Sequence, residues 1–147
     1  MEILSKVPER LEELMMEKGL NASSLSKKLG VSVSTVTRYL KGERLPTFQN
    51  FVKLLDFFNC SADFLIGLTD FPTATPTFRA VLPFKDRFRA LLDECKLSQY
   101  ELHRRTNLSY DDFNKWLKGL SYPYVDNLAK LAKAFNCTVD YLLGREV

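Results

Sequence analysis

Apolar residues return at spacings of three and four along most of this chain, the period of a helix with one buried face. Leu11, Leu14 and Met15 define the first such stripe, and Phe88, Leu91, Leu92 and Cys95 define a similar one later. Gly19 ends the first helix, and Asn21 and Ser98 are suited to cap the helices that follow. Ser98 with Glu101 reads as a capping box, stapled by Leu97 and Leu102. Gly30 and Asn107 tolerate the left-handed backbone of a tight turn. Ser32 and Ser109 then start a third helix that ends near Gly42 or Gly119. Beyond Pro46 and Pro123, a fourth helix buries Phe51, Leu54, Leu55 and Phe58 in one region and Leu128, Leu131 and Phe135 in the other, stopping at Asn59 or Asn136. A last short helix begins at Ser61 or Thr138. Strand-like alternation is missing outside one connecting stretch, so the pattern predicts an all-α chain.

The two regions are copies. Offset by 77 residues, Arg10–Gly67 aligns with Arg87–Gly144 without a gap, and 19 of the 58 pairs are identical. Val31, Val36 and Tyr39 fall on the buried face of the third helix in the first copy. The expected organisation is a first module over 1–67, a connector over 68–83 and a second module over 84–147. Pro72, Pro76, Pro83 and four threonines mark the connector. Phe71, Phe78, Val81 and Leu82 predict that it packs on a module rather than trailing free.

Composition narrows the class. With 46% hydrophobic and 27% charged residues among 147, the chain can bury a core and lacks the signature of disorder. No uninterrupted apolar run suits a membrane span, and Met1 to Lys6 lack the pattern of a secretory signal, so a soluble, cytoplasmic protein is expected. Cys60, Cys95 and Cys137 have no metal-like spacing and read as reduced core thiols. His103 is the only histidine, and no phosphate loop, nucleophile–base pair or metal set is visible. The expectation is a protein that is not an enzyme, with no cofactor, metal or small-molecule ligand. The net charge of +3 is mild and permits a polyanionic partner without demanding one.

The second and third helices carry the chemistry. Two short helices joined by a tight turn, with polar residues at the start of the second, form the geometry that lays a helix in the DNA major groove. Leu25-Ser-Lys-Lys-Leu-Gly-Val-Ser-Val-Ser-Thr-Val-Thr-Arg-Tyr-Leu-Lys-Gly42, followed by Arg44-Leu-Pro46 and Ala62-Asp-Phe-Leu-Ile-Gly67, resembles the Cro/lambda-repressor (XRE) helix-turn-helix family. The resemblance spans about 58 residues of each copy and implies tandem five-helix, lambda-repressor-like DNA-binding modules in a bacterial regulator. It implies base reading by Val33, Ser34 and Arg38, with Thr35 and Thr37 reaching base edges or phosphate. An arginine can grip guanine at two atoms, hydroxyls donate or accept, and a valine can cover a thymine methyl. Lys27, Lys28, Lys41, Arg44, Thr47 and Gln49 are placed to flank the groove as phosphate contacts. The family's phosphate-clamping glutamine is replaced by Ala22 here and kept as Gln99 in the second copy.

The second copy departs from this pattern. Asp111 and Asp112 stand where the first has Ser34 and Thr35. They can accept from a cytosine amino group, or stabilise the start of their own helix. His103 replaces the small Ser26 between the second and third helices. Gln99, Arg104, Arg105, Asn114, Lys115 and Lys118 remain candidates for DNA contact, and residues 71–147 hold 12 basic against 9 acidic side chains, whereas residues 1–70 hold 9 of each. This module therefore reads a divergent half-site or serves as a protein interface, with Tyr122-Pro-Tyr124 as the contact patch.

The leading expectation is a sequence-specific transcriptional regulator, a repressor of the kind the family supplies, with double-stranded DNA as partner. It would act as an intramolecular pseudo-dimer or as a homodimer. Half-sites on one DNA face lie about 34–36 Å apart, within the roughly 50 Å that the connector spans when extended. The alternative is a regulator or antirepressor whose helix-turn-helix modules bind another protein.

Overall fold

In the computed structural model, which describes residues 6–71 and 78–146, hydroxyl and amide side chains set where most helices begin. The chain divides into two units between residues 76 and 77. The first holds α1 (Lys6–Glu17), α2 (Ala22–Leu29), α3 (Val33–Lys41), α4 (Phe48–Phe58) and α5 (Ala62–Ile66). The second holds α6 (Phe84–Glu94), α7 (Gln99–Thr106), α8 (Tyr110–Leu117), α9 (Val125–Phe135) and α10 (Val139–Leu142). No strand occurs among the described residues, so the fold is all-α, as the periodicity requires.

Caps match the sequence almost residue for residue. Asn21, Ser32, Thr47, Ser61, Ser98, Ser109 and Thr138 each accept a backbone N–H three residues on, satisfying donors that a helix start leaves orphaned. The capping box falls elsewhere than expected. The Asn21 side chain accepts from Ser24 N at 2.8 Å, and the Ser24 hydroxyl accepts from Asn21 N at 2.9 Å. In the second copy only Ser98 does its part, because the Glu101 carboxylate faces Arg104 and Arg105, each at 3.9 Å. Gly30 and Asn107 adopt φ of 72° and 60°, the left-handed turn that sends the chain from α2 to α3 and from α7 to α8.

The two cores are built from different shapes. Leu11, Leu25, Val36, Phe51, Leu54, Leu55, Leu65 and Ile66 are sealed in the first unit, while Val31 is only half-buried. In the second, Phe88 is ringed by Trp116 at 5.5 Å, Phe113 at 5.8 Å and Phe135 at 6.2 Å between centroids. The corresponding positions in the first are Leu11, Tyr39, Val36 and Phe58. At Phe88 and Phe113 a ring thus fills space that an aliphatic chain, Leu11 or Val36, fills in the first copy, and tilted and edge-on contacts suit the rings.

An identical arginine closes each unit, a role the sequence reading did not assign. Arg10 on α1 lies 4.4 Å from the Phe64 ring of α5 and donates to Asp70 at 2.9 Å. Its counterpart Arg87 on α6 lies 5.0 Å from the Tyr141 ring of α10 and donates to the carbonyls of Tyr141 at 2.6 Å and Leu142 at 3.3 Å. Guanidinium groups suit this work, because they stack on rings while keeping planar donors for oxygen acceptors.

The connector's ends belong to different units. Asp70 is tied to α1 through Arg10. On the other side, Arg79 N donates to Arg145 O at 2.9 Å and Leu82 N to Leu143 O at 3.1 Å, and the Phe78 ring lies 4.0 Å from the buried Arg145 guanidinium. Phe71, expected to pack, is exposed, and Pro72 and Pro76 lie outside the described residues. Of the three thiols, all free, only Cys60 is buried. Cys95 and Cys137 are half-buried. The Cys95 thiol donates to Phe135 O at 3.7 Å, and burial raises its pKa, keeping it protonated. No helix among the described residues is long and apolar enough to cross a membrane.

Arg145 pairs with Asp140 at 2.5 Å, and both side chains are almost wholly inaccessible. Truncating one partner of such a pair strands the other charge in the interior. Arg145→Ala is therefore expected to destabilise the second unit by about 3 kcal/mol, read from the shift of the Trp116 fluorescence transition in denaturant. The double variant Arg145→Met/Asp140→Leu is expected to recover much of that loss.

Candidate nucleic-acid interface

The start of α3 is a cluster of hydroxyls. Ser32 Oγ accepts from Thr35 N at 3.1 Å and lies 2.8 Å from Thr35 Oγ1 and 3.3 Å from Ser34 Oγ. Thr37 donates back to Val33 O at 3.0 Å, which leaves its oxygen lone pairs for an external donor. Val36 and Tyr39 face the core, so the opposite face of α3 turns outward. Val33, Ser34 and Arg38 are exposed, and Thr35 and Thr37 are half-exposed. Ser34, Thr37, Arg38 and Lys41 follow the i, i+3, i+4, i+7 spacing of a single stripe. All five base-reading candidates therefore share one helix, and the hydroxyls and the arginine share its outer side.

The phosphate candidates surround this stripe in sequence. Lys27 and Lys28 are exposed in the last turn of α2, Lys41 closes α3, and Arg44 is exposed in the loop beyond it. Thr47 is the α4 cap, and its side chain accepts from Asn50 N at 3.2 Å, while Gln49 is exposed in the first turn. None of Lys27, Lys28, Arg38, Lys41 and Arg44 forms an ion pair among the described residues.

One contributor was not anticipated. Asn50 Nδ2 donates to the Tyr39 hydroxyl at 3.0 Å, tying the buried side of α3 to the first turn of α4. The identical pair Asn50/Asn127 was the available signal, but it misleads for the second copy, where Trp116 replaces Tyr39 and offers no matching hydroxyl.

The second unit's matching face differs in charge and shape. Asp111 and Asp112 occupy the first turn of α8, where carboxylates complement the helix dipole. Asp111 also pairs with Lys115 at 3.0 Å, and this bond raises the Lys115 pKa. Lys118 and Asn114 are exposed, and Gln99 is half-exposed at the start of α7. Arg104 is exposed above the Tyr100 ring. Arg105 is exposed, and one guanidinium nitrogen donates to Ala134 O at 3.1 Å, near the end of α9. His103 Nδ1 donates to Leu108 O at 2.6 Å, and its ring stacks on Tyr110 at 4.8 Å. With that ring at the turn, α7 and α8 pack less extensively than α2 and α3. Beside α8, Asp112, Lys115, Trp116, Tyr122, Tyr124 and Asn127 line an open pocket of about 290 Å³.

Comparison with known proteins bears on both units. The family described as Helix-turn-helix matches residues 11–65, and that described as Cro/C1-type HTH DNA-binding domain matches residues 87–146. A Haemophilus influenzae protein named as an uncharacterized HTH-type transcriptional regulator is 30% identical over 151 aligned positions, covering 95% of this chain and 62% of that protein. The cryptic phage CTXphi transcriptional repressor RstR of Vibrio cholerae is 32% identical over 62 residues, covering 42% of this chain and 55% of RstR. This chain thus spans under two thirds of the length of either relative. No solved structure matches at comparable significance.

Tyr39→Phe deletes the hydroxyl that Asn50 uses. It is expected to cost the first unit about 1 kcal/mol, seen as an earlier circular-dichroism transition in denaturant, with the Trp116 fluorescence transition of the second unit unmoved.

Proposed function

The chain belongs to the Cro/C1-type helix-turn-helix family of transcription regulators and carries two such domains in tandem, and on that premise we propose that it represses transcription by binding double-stranded DNA through α3. The observation that carries this reading is the outer face of α3. It offers exposed hydroxyls and an arginine beside exposed cations with no acidic partner among the described residues. Such a face suits a polyanion that presents donors and acceptors in a groove. Val33, Ser34, Thr35, Thr37 and Arg38 would meet base edges, with Thr37 acting as acceptor because its hydroxyl hydrogen is used within the helix. Lys27, Lys28, Lys41, Arg44, Thr47 and Gln49 would set orientation on the phosphates. The repressor named among the relatives supports repression as the direction of control.

The second domain contributes less to DNA affinity in this reading. Asp111 neutralises Lys115, Arg105 is held by a backbone carbonyl, and Asp112 adds a further negative charge to the helix start.

Selection of bound sequences from random DNA, using the full chain, tests the proposal. Binding is expected to weaken steeply with salt. On the selected site, Arg38→Ala is expected to cost about 1–3 kcal/mol and relax the sequence preference, whereas Lys115→Ala costs less. No binding at low salt, or equal losses from the two variants, would overturn the reading and favour a regulator that acts by binding another protein.

A further inference from the structure

The two third helices carry opposite charge designs along the same stripe. On α3 it runs Ser34, Thr37, Arg38, Lys41, with cations and no anion. On α8 it runs Asp111, Asn114, Lys115, Lys118, with the carboxylate at the N-terminal end and the ammonium groups toward the C-terminal end. A helix patterned in this way is complementary to itself turned end for end. About a two-fold axis near Asn114, Asp111 of one helix meets Lys118 of the other, twice, and the helix dipoles oppose. The α3 stripe set against itself would bring only cations together.

The surroundings of α8 favour the same use. Tyr110, Tyr122 and Tyr124 leave 41%, 45% and 70% of their surface to solvent, where the first copy has Val33, Leu45 and Thr47. Tyr122 and Tyr124 line the pocket beside Lys115, and Tyr110 opens α8 one residue before Asp111. Exposed tyrosines next to a cleft are the side chains that anchor protein interfaces. DNA would gain little from this face, since its first turn presents carboxylates to phosphates.

The geometry points to the α8 face of the second domain as a self-association surface, which pairs antiparallel with α8 of a second copy of this chain. Each assembly then carries two α3 faces. The association does not depend on what α3 binds.

Charge reversal tests this on the full chain by sedimentation velocity at low salt. Wild type is expected to dimerise with a dissociation constant on the order of micromolar, as small interfaces do. Asp111→Lys and Lys118→Glu should each weaken the dimer at least about tenfold, because each places two like-charged contacts across the axis. Mixing the two variants should restore association, since each then supplies what the other lacks. Both sites are exposed, and far-ultraviolet circular dichroism verifies folding. Should Asp111→Lys unfold, Asp111→Asn replaces it, with partial weakening expected. A wild type that stays monomeric at 100-fold above the expected constant (about 100 µM), variants that dimerise as wild type does, or an unrestored mixture would each overturn the proposal. So would a Lys118→Glu variant that loses DNA affinity while association is unchanged.

Discussion

Each unit is small enough that its two ends must be fastened together. Domains of this size bury only about 60% of the surface that their unfolded chains expose, so the first and last helices cannot rely on area alone. Arg10 and Arg87 supply the fastening by stacking on Phe64 and Tyr141 and donating to oxygens of the last helix or the residues beyond it. With the bundle closed, the inner faces of the third helices have a fixed wall to pack on, and their outer faces are free to carry chemistry.

Duplication kept that frame and let the outer surface drift. The caps of the second, third and fifth helices, the left-handed turns and the clasping arginine recur in both copies, since each answers a backbone or closure requirement. The core needs only volume, which is why Val36 and Leu11 can be answered by Phe113 and Phe88. The outer helix faces are under neither constraint. One became a field of hydroxyls and uncompensated cations, and the other a self-paired strip of opposite charges flanked by tyrosines.

Most of the frame was legible because it is encoded locally. Helix periodicity, the residues before each first turn and the glycine or asparagine after each last turn act over a few residues, and the gap-free repeat supplied a second reading of every element. The errors arose where a side chain had a choice of partners. Glu101 had a suitable position to return a cap bond, yet two arginines drew it away. Arg105, a candidate for DNA contact, also donates to a carbonyl of α9 that the sequence did not point to. The repeated Asn50/Asn127 could mark the residue but not its partner Tyr39, because the two are eleven residues apart on different helices.

The sequence by itself determined that the chain is all-helical, that it is duplicated, where its helices start and stop, and which face of each third helix points outward. Those properties follow from short-range sterics and from the period at which apolar residues recur. Tertiary structure alone decided which charged groups are spent inside the protein and which remain for a partner. Arg10, Arg87, Arg105 and Arg145 are all basic in composition, yet each is engaged with a ring, a carboxylate or a carbonyl. The physical reason is that a long cationic side chain takes the best acceptor within reach, and reach across helices is settled only when the bundle has closed.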